Sequence, residues 1–435
     1  MWYDESVIYQ IYPLNYVGAP EYNDGKTEHR ILKISEHISH YNKLGINIIY
    51  FCPIFESSKH GYDTKDFTKI DCRLGSNEDF KKVCEHLHKN NIKVIIDGVF
   101  NHVGREFFAF KDVQQNKYNS IYKDWFFINF DGNSPYDDCF YYEGWEGHYE
   151  LVKLNLDNAD VKNYLFSCIK NWIEYFQIDG LRLDVAYMLN TNFLKELRRL
   201  TQSINPEFFL LGEIIHGDYN TIVNNDMLHS ATNYECYKGI YSSFNEMNMF
   251  EISYSLNRQF GNESWCLYTG KNMVSFIDNH DVTRIASALT NKNHIPLAFG
   301  LLFTMPGIPC IYYGSEWGEL GEKITGTDAP LRPKITSTKW NDLTKFISKL
   351  CKIRTTNKTL AYGSLANLHV TNHQYVFERK LNNKSIIVSI NASENSYTLN
   401  QNFNATTGVN LISGENVKLD GSLTLPPYSI QIIEC

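Results

Sequence analysis

Between Val7 and about Tyr313, short β-rich apolar runs alternate with stretches of helical periodicity, the pattern of a parallel sheet with crossover helices. The runs fall at residues 7–12, 46–51, 93–97, 180–185, 208–213, a weaker one at 231–233, then 273–278 and 309–313. Helices are predicted near 30–44, 77–90, 159–176, 192–203 and 341–355, with Gly45 and Asn91 where helix C-terminal signals belong. Eight strand candidates, most followed by a helix, make a (β/α)₈ barrel of TIM type the economical α/β architecture.

Two regions break the rhythm. Residues 103–156 hold no helix-length periodic segment but are dense in aromatics, among them Phe126, Phe127, Phe130, Tyr136, Phe140, Tyr141, Tyr142, Trp145 and Tyr149. So long and aromatic an insertion is expected to form a small subdomain overhanging the active site rather than a disordered loop. Beyond Leu360 the texture becomes alternating strands at 375–379, 385–390 and 423–433, an all-β C-terminal domain of sandwich type. The expected division is a barrel from 1–102 and 157–358, the insert at 103–156 and the β-domain at 359–435.

In such a barrel the working groups sit at the C-terminal ends of strands. Strand three ends in Asp97-Gly98-Val99-Phe100-Asn101-His102, strand five in Gly212-Glu213, and strand seven in Asp278-Asn279-His280-Asp281. In strand four, alternation puts Arg182 and Asp184 on one face and Leu181, Leu183 and Val185 on the other. Any one of these residues reads more readily as a cap, a surface charge or a hydrogen-bonded core group. All of them at the same end of successive strands do not. A carboxylate-rich cleft without histidine-rich ligand spacing suggests glycoside hydrolysis, which needs one carboxylate to attack and one protonated carboxyl to donate. Arg182 would keep Asp184 ionised, and the apolar run before Glu213 would raise the pKa of that acid.

Composition narrows the partners. The net charge of -8 disfavours nucleic acid and anionic membrane, no apolar run is long enough to span a bilayer, and the first residues lack a leader pattern, so a cytoplasmic protein is expected. The 10 cysteines contain no C-x-x-C and no tight cluster, which points to reduced, buried thiols rather than disulfides or zinc. An aromatic content of 14% suits sugar stacking as well as core filling.

The segments D-G-V-F-N-H (97–102), G-L-R-L-D-V-A (180–186), G-E-I-I-H (212–216) and F-I-D-N-H-D (276–281) resemble, in order, the four signature regions of the α-amylase family of glycoside hydrolases. H-G-Y-D (60–63) and G-I-P-C-I-Y-Y-G (307–314) are similar to its second-strand and eighth-strand loops. The resemblance implies Asp184 as nucleophile, Glu213 as general acid/base and Asp281 as transition-state stabiliser. It also implies that Arg182, His102 and His280 bind the sugar at the cleavage point, with Tyr62 as stacking platform and Asp97 supporting Arg182. Asp328 and Arg332 would grip the next glucose.

L-V-K-L-N (151–155) and E-I-I-H are similar to segments of neopullulanases, cyclomaltodextrinases and maltogenic amylases. Those enzymes carry an N-terminal β-domain, whereas here the barrel begins within the first ten residues, and Ile215 stands where they have a tryptophan. Many α-amylases hold calcium with the counterpart of Asn101 and a histidine just past the nucleophile strand. Tyr187-Met188 occupies that place, and methionine is a poor ligand for a hard cation, so no cofactor and no calcium are expected at this inter-domain site. Asn23-Asp24-Gly25 reads as a turn. The expected activity is retaining cleavage of α-1,4 bonds in maltooligosaccharides, with some transglycosylation. The alternatives are action on sucrose, trehalose or α-1,6 linkages, or a non-catalytic carbohydrate-binding role on the same fold.

Overall fold

The computed structural model describes all residues from Met1 to Cys435. Eight parallel strands form the barrel: β1 (Ile8–Ile11), β2 (Ile48–Phe51), β3 (Lys93–Gly98), β4 (Gly180–Leu183), β5 (Phe209–Gly212), β6 (Ser230–Ala231), β7 (Val274–Phe276) and β8 (Ile308–Tyr312). Their order round the sheet is β6-β5-β4-β3-β2-β1-β8-β7. A parallel bridge between Thr232 and Val274, with the Asn233 N–H donating to the Val274 carbonyl at 2.8 Å, joins β6 to β7 and closes the ring. Every residue of β1, β2, β4 and β5 is buried, as a sheet covered on both faces requires.

The helices form where the periodicity puts them, with local departures. The helix Asn77–Lys89 opens on a capping box in which Ser76 and Asp79 exchange side-chain and backbone hydrogen bonds, and Asn91 lies past its end at φ 58°. Gly45, at φ 89°, ends the helix Ile38–Leu44 in the same left-handed way. The predicted helix at 30–44 is broken into a 3₁₀ turn (Arg30–Leu32), a single turn (Lys33–Glu36) and Ile38–Leu44, with the junction residue His37 hydrogen-bonded through its ring to Tyr16. The helix beginning at Ala159 stays α-helical to Asn171 and finishes as a π turn, Trp172–Phe176. That widening seats the fully buried Trp172 indole flat on Phe55 at 4.2 Å, its Nε1–H donating to the Phe67 carbonyl at 2.9 Å.

The inserted segment corrects the expectation of a helix-free region. It contains the helix Phe108–Asn116, which buries Ala109, Phe110 and Val113; the run Phe107-Phe108-Ala109-Phe110 masks this periodicity because the exposed Phe108 adds an apolar residue beside the buried face. A small antiparallel sheet of His102–Gly104, His148–Lys153 and Gly144–Trp145 roots the insert on the end of β3.

The C-terminal region has two layers. One is a six-stranded sheet in the order Ser364–Val370, Gln374–Leu381, Lys384–Asn391, Ser429–Glu434, Thr407–Asn410, Asn416–Lys418; the other is a ribbon of Tyr397–Asn400 and Ser422–Leu425. The single strand expected at 423–433 is therefore two, one in each layer, because Pro426-Pro427 cannot donate to a ladder and Tyr428 turns the chain at φ 45°. Alternation assigns the faces of the large sheet. Val376, Ile387 and Ile433 pack under the ribbon, whereas Tyr375, Phe377, Ile386, Val388 and Ile432 join the apolar core of the barrel.

Candidate active site

At the C-terminal mouth of the barrel, Arg182 on β4 is hydrogen-bonded to its ladder partner Asp97 on β3, Nη1 donating to both carboxylate oxygens at 2.8 and 3.1 Å. The same Nη1 donates to Asp184 Oδ1 at 2.8 Å, and Nη2 lies 2.8 Å from Glu213 Oε1. One buried guanidinium thus faces three buried carboxylates. The contacts are not equivalent: those to Asp97 and Asp184 are aligned hydrogen bonds, while that to Glu213 is an ion-pair contact alone.

Desolvation decides the proton affinities. Burial lifts Asp184 and Glu213 to about 7 and Asp97 to about 6, because one cation cannot neutralise three carboxylates withheld from water. Arg182 opposes burial at Asp184, so the arginine moderates the rise without cancelling it. The aligned Arg182 bond favours negative charge on Asp184 over Glu213, and the proton shared by the pair belongs on Glu213.

Glu213 is held from a strained turn. Val185, directly after Asp184, has φ 39° and ψ 46°, a left-handed conformation that disfavours a β-branched residue, and its N–H donates to Glu213 Oε2 at 3.0 Å. Tyr234 donates to the other oxygen at 3.4 Å and is itself held by Asn279 Nδ2 at 3.1 Å.

Asp281 is built differently. Burial raises its pKa, but the surrounding positive groups outweigh burial and hold it below the usual carboxylate range. His280 makes the largest opposing contribution and Arg332 the next; because burial pushes His280 itself to about 3, the full positive charge at pH 7 comes from Arg332, whose Nη2 donates to Asp281 Oδ1 at 2.9 Å. Gln10 Nε2 lies 2.8 Å from His280 Nδ1, which places the ring proton on Nε2, 3.0 Å from Asp281 Oδ2. Tyr62 stacks on His280 with 12° between the rings and donates to Asp97 Oδ2 at 3.3 Å.

His102, driven by burial to about 3, is likewise neutral. Asn101 Nδ2 faces its Nδ1 at 3.1 Å, leaving Nε2–H buried, without a partner and 4.0 Å from Asp184 Oδ2. A second unpartnered donor, Trp145 Nε1, comes from the insert, where the indole lies beside His102 and stacks on His148. Both donors are buried without a partner, and that of His102 lies beside Asp184, so each has an unmet capacity to donate a hydrogen bond.

The structure therefore brings together Tyr62, Asp97, His102, Arg182, Asp184, Glu213, His280, Asp281 and Arg332; Asp328 joins through Arg332 Nη2 at 2.8 Å. Asp278, in the same motif as Asp281, points away and accepts from Ser315 Oγ and the Ile285 N–H. Sequence reasoning missed Gln10, Trp145, Val185, Tyr234 and also Tyr50, whose hydroxyl donates to Asp97 Oδ2 at 3.1 Å. Gln10 was legible as an amide inside an apolar strand run, whereas Tyr50, Tyr234 and Trp145 are aromatics among many, and a backbone N–H leaves no trace in sequence. Near Asn101 the donor set does not fit calcium: the Asn101 amide is turned to His102, Tyr187 donates to Glu146 Oε1 at 3.4 Å, and Met188 offers only a thioether. Asn23-Asp24-Gly25 is a turn in which Asn23 Oδ1 accepts from the Gly25 N–H at 2.9 Å and Asp24 Oδ1 from the Lys26 N–H at 3.1 Å.

A parallel barrel with carboxylates gathered round an arginine at its C-terminal mouth, under an aromatic insert, defines a carbohydrate-cleaving barrel enzyme. The family model described as "Alpha amylase, catalytic domain" matches residues 10–346, and "Maltogenic Amylase, C-terminal domain" matches 365–432. The chain belongs to the α-amylase family of glycoside hydrolases. It is 32% identical to the maltogenic alpha-amylase of Bacillus acidopullulyticus over 98% of this chain and 76% of that protein. To neopullulanase 2 of Thermoactinomyces vulgaris it is 31% identical over 99% and 78%. Among solved structures, the debranching enzyme from Nostoc punctiforme matches with a TM-score of 0.83 at 30% identity, covering 100% of this chain and 99% of that one.

Proposed function

We propose that this chain hydrolyses α-1,4-glucosidic bonds of maltooligosaccharides with retention of anomeric configuration. The observation that carries the reading is the shared guanidinium, which polarises Asp184 and leaves Glu213 as the site of the proton. Asp184 attacks the anomeric carbon as the Glu213 proton passes to the departing glycosidic oxygen, giving a covalent glycosyl ester and a free sugar hydroxyl. Glu213, now a carboxylate, takes a proton from water as the water oxygen attacks the anomeric carbon, breaking that carbon's bond to Asp184 and releasing the sugar with the nucleophile restored. A sugar hydroxyl in place of that water gives transglycosylation. Asp281, ionised beside Arg332, binds ring hydroxyls and stabilises the oxocarbenium-like transition state, while the free Nε2–H of His102 takes one hydroxyl of the same sugar. Tyr62, with His280 behind it, supplies the stacking face.

Relatives named cyclomaltodextrinase, maltogenic alpha-amylase and neopullulanase support this substrate class. The debranching enzyme supports a second reading, cleavage of α-1,6 branch points on the same carboxylates. Product chromatography on maltotriose, pullulan, cyclodextrin and acarbose separates the two, and NMR of the first-formed anomer tests retention: an initial β-anomer overturns the mechanism. No calcium requirement and a cytoplasmic location complete the proposal, without nucleic-acid or membrane partners. The location draws support from the intracellular maltogenic amylase of Bacillus subtilis, 30% identical, and from the unpaired state of every cysteine.

A further inference from the structure

Between the turn at 371–374 and the turn at 393–397 of the C-terminal domain lies an open groove of 440 Å³, within the ~300–1,000 Å³ of small-molecule sites. Its two walls are pinned from below by one fully buried amide. Asn391 Oδ1 accepts from Gln374 Nε2 at 2.9 Å and from the Ser393 N–H at 3.0 Å, while Nδ2 donates to the carbonyls of Asn395 at 2.8 Å and Pro426 at 2.9 Å. The Ala392 N–H donates to the His373 carbonyl at 2.9 Å, a direct link between the turns. A groove held this way keeps its shape without a ligand and loses little entropy on binding.

The groups that project into it are unengaged. Asn372, His373, Asn395 and Ser396 have no intramolecular hydrogen bond from their side chains, and the Tyr397 ring at one end is backed by His369, whose Nε2 pairs with the Tyr397 hydroxyl at 2.9 Å. No Asp, Glu, Lys or Arg lines the groove. Without fixed charge it is a poor site for phosphate, carboxylate or metal. Amides and a hydroxyl that donate and accept side by side, next to an aromatic ring, suit the vicinal hydroxyls and apolar C–H face of a neutral sugar. The turn at 371–374 is also joined to a neighbouring helix: the Met249 N–H donates to the Asn372 carbonyl at 3.2 Å, and the helix that starts there carries Phe250 and Tyr254, one turn apart and 50% and 64% exposed. Exposed rings at that spacing offer a second stacking face to a chain longer than the groove.

We propose that this groove is a second, non-catalytic binding site for α-glucan chains. It rests on the reading that the enzyme acts on maltodextrins, and it would hold a polymer near the barrel while one segment is cut, raising the effective concentration of further cleavage points.

The test uses the full chain carrying Asp184→Asn, so that the ligand survives, and titrates maltoheptaose by calorimetry. Two binding events are expected, one of which is lost in the added His373→Ala/Asn395→Ala pair; both positions are solvent-exposed and lie outside the barrel core. Affinity electrophoresis through amylose should lose retardation in the same pair, while kcat/KM on maltotriose in the otherwise native chain stays unchanged. A Phe250→Ala/Tyr254→Ala pair should weaken retention by amylose while sparing the second maltoheptaose event. A single binding event untouched by the groove substitutions overturns the proposal and leaves the catalytic reading standing. Absence of both turnover and binding on every maltodextrin overturns the two together.

Discussion

Arg182 is the residue on which the site turns, because a single guanidinium serves Asp97, Asp184 and Glu213. Three buried carboxylates against one cation leave the site short of positive charge, and the pKa rises to about 7 at Asp184 and Glu213 follow. The pair shares a proton, so kcat/KM is expected to be bell-shaped, falling in acid as Asp184 is protonated and in alkali as Glu213 loses its proton, with limbs on either side of about 7. A flat profile across neutral pH would contradict the assignment. The same shifts act on stability. A carboxyl whose folded pKa lies above its unfolded value contributes stability that is complete below the unfolded value and lost as pH rises through the folded one, here between about 4 and about 7. Asp184→Asn should therefore abolish most turnover while leaving oligosaccharide binding measurable, and should raise Tm more at pH 8 than at pH 5, read by calorimetry at the two pH values. Val185 is a second residue-scale device. Its left-handed turn aims a backbone N–H at Glu213, and Val185→Gly, which keeps the N–H but frees the turn, should loosen that bond and move the alkaline limb to higher pH.

At the scale of elements, the strands were legible almost completely because a barrel strand buries both faces and leaves an unbroken apolar run. Their C-terminal ends were legible too, since polar groups there interrupt the run at a fixed place. What failed was any element whose signal depends on a neighbour. The helix Phe108–Asn116 buries one face against the insert while Phe108 stays exposed beside it, which blurs the pattern, and Trp172–Phe176 widens into a π turn to seat an indole against Phe55. The helix stops at Gly45 and Asn91 were readable from sequence, whereas the capping box at Ser76 and Asp79 was seen only in the structure. Ser76→Ala removes one capping bond from the helix Asn77–Lys89, and its expected cost is about 1 kcal/mol, seen as a lower urea midpoint with unchanged kcat. Trp145 shows the limit of motif reading, since its role comes only from the insert folding back over His102.

At the scale of the molecule, the barrel and the C-terminal sheet share one apolar core, with Tyr375, Phe377, Ile386, Val388 and Ile432 facing the barrel. Buried Arg379 ties them further, donating to the carbonyls of Thr304 at the end of the helix His294–Thr304 and of Gly363 at 2.8 Å each. Removing residues 364–435 is expected to yield aggregated, inactive protein, checked by solubility and circular dichroism, because it strips an apolar face from the barrel. Chelation is expected to leave activity and Tm unchanged. Activity lost to a chelator and restored by calcium would overturn the reading of Tyr187-Met188.

The sequence by itself determined the barrel, the order of its strands and the carboxylates at their ends, because each is written in local periodicity and in residue type at a strand terminus. Only the tertiary structure decided how Arg182 divides itself among three acids, that Arg332 rather than His280 keeps Asp281 charged, and that two turns of the C-terminal domain enclose a neutral groove. Those properties depend on distances between residues far apart in the chain and on the exclusion of water, and neither exists until the chain has folded.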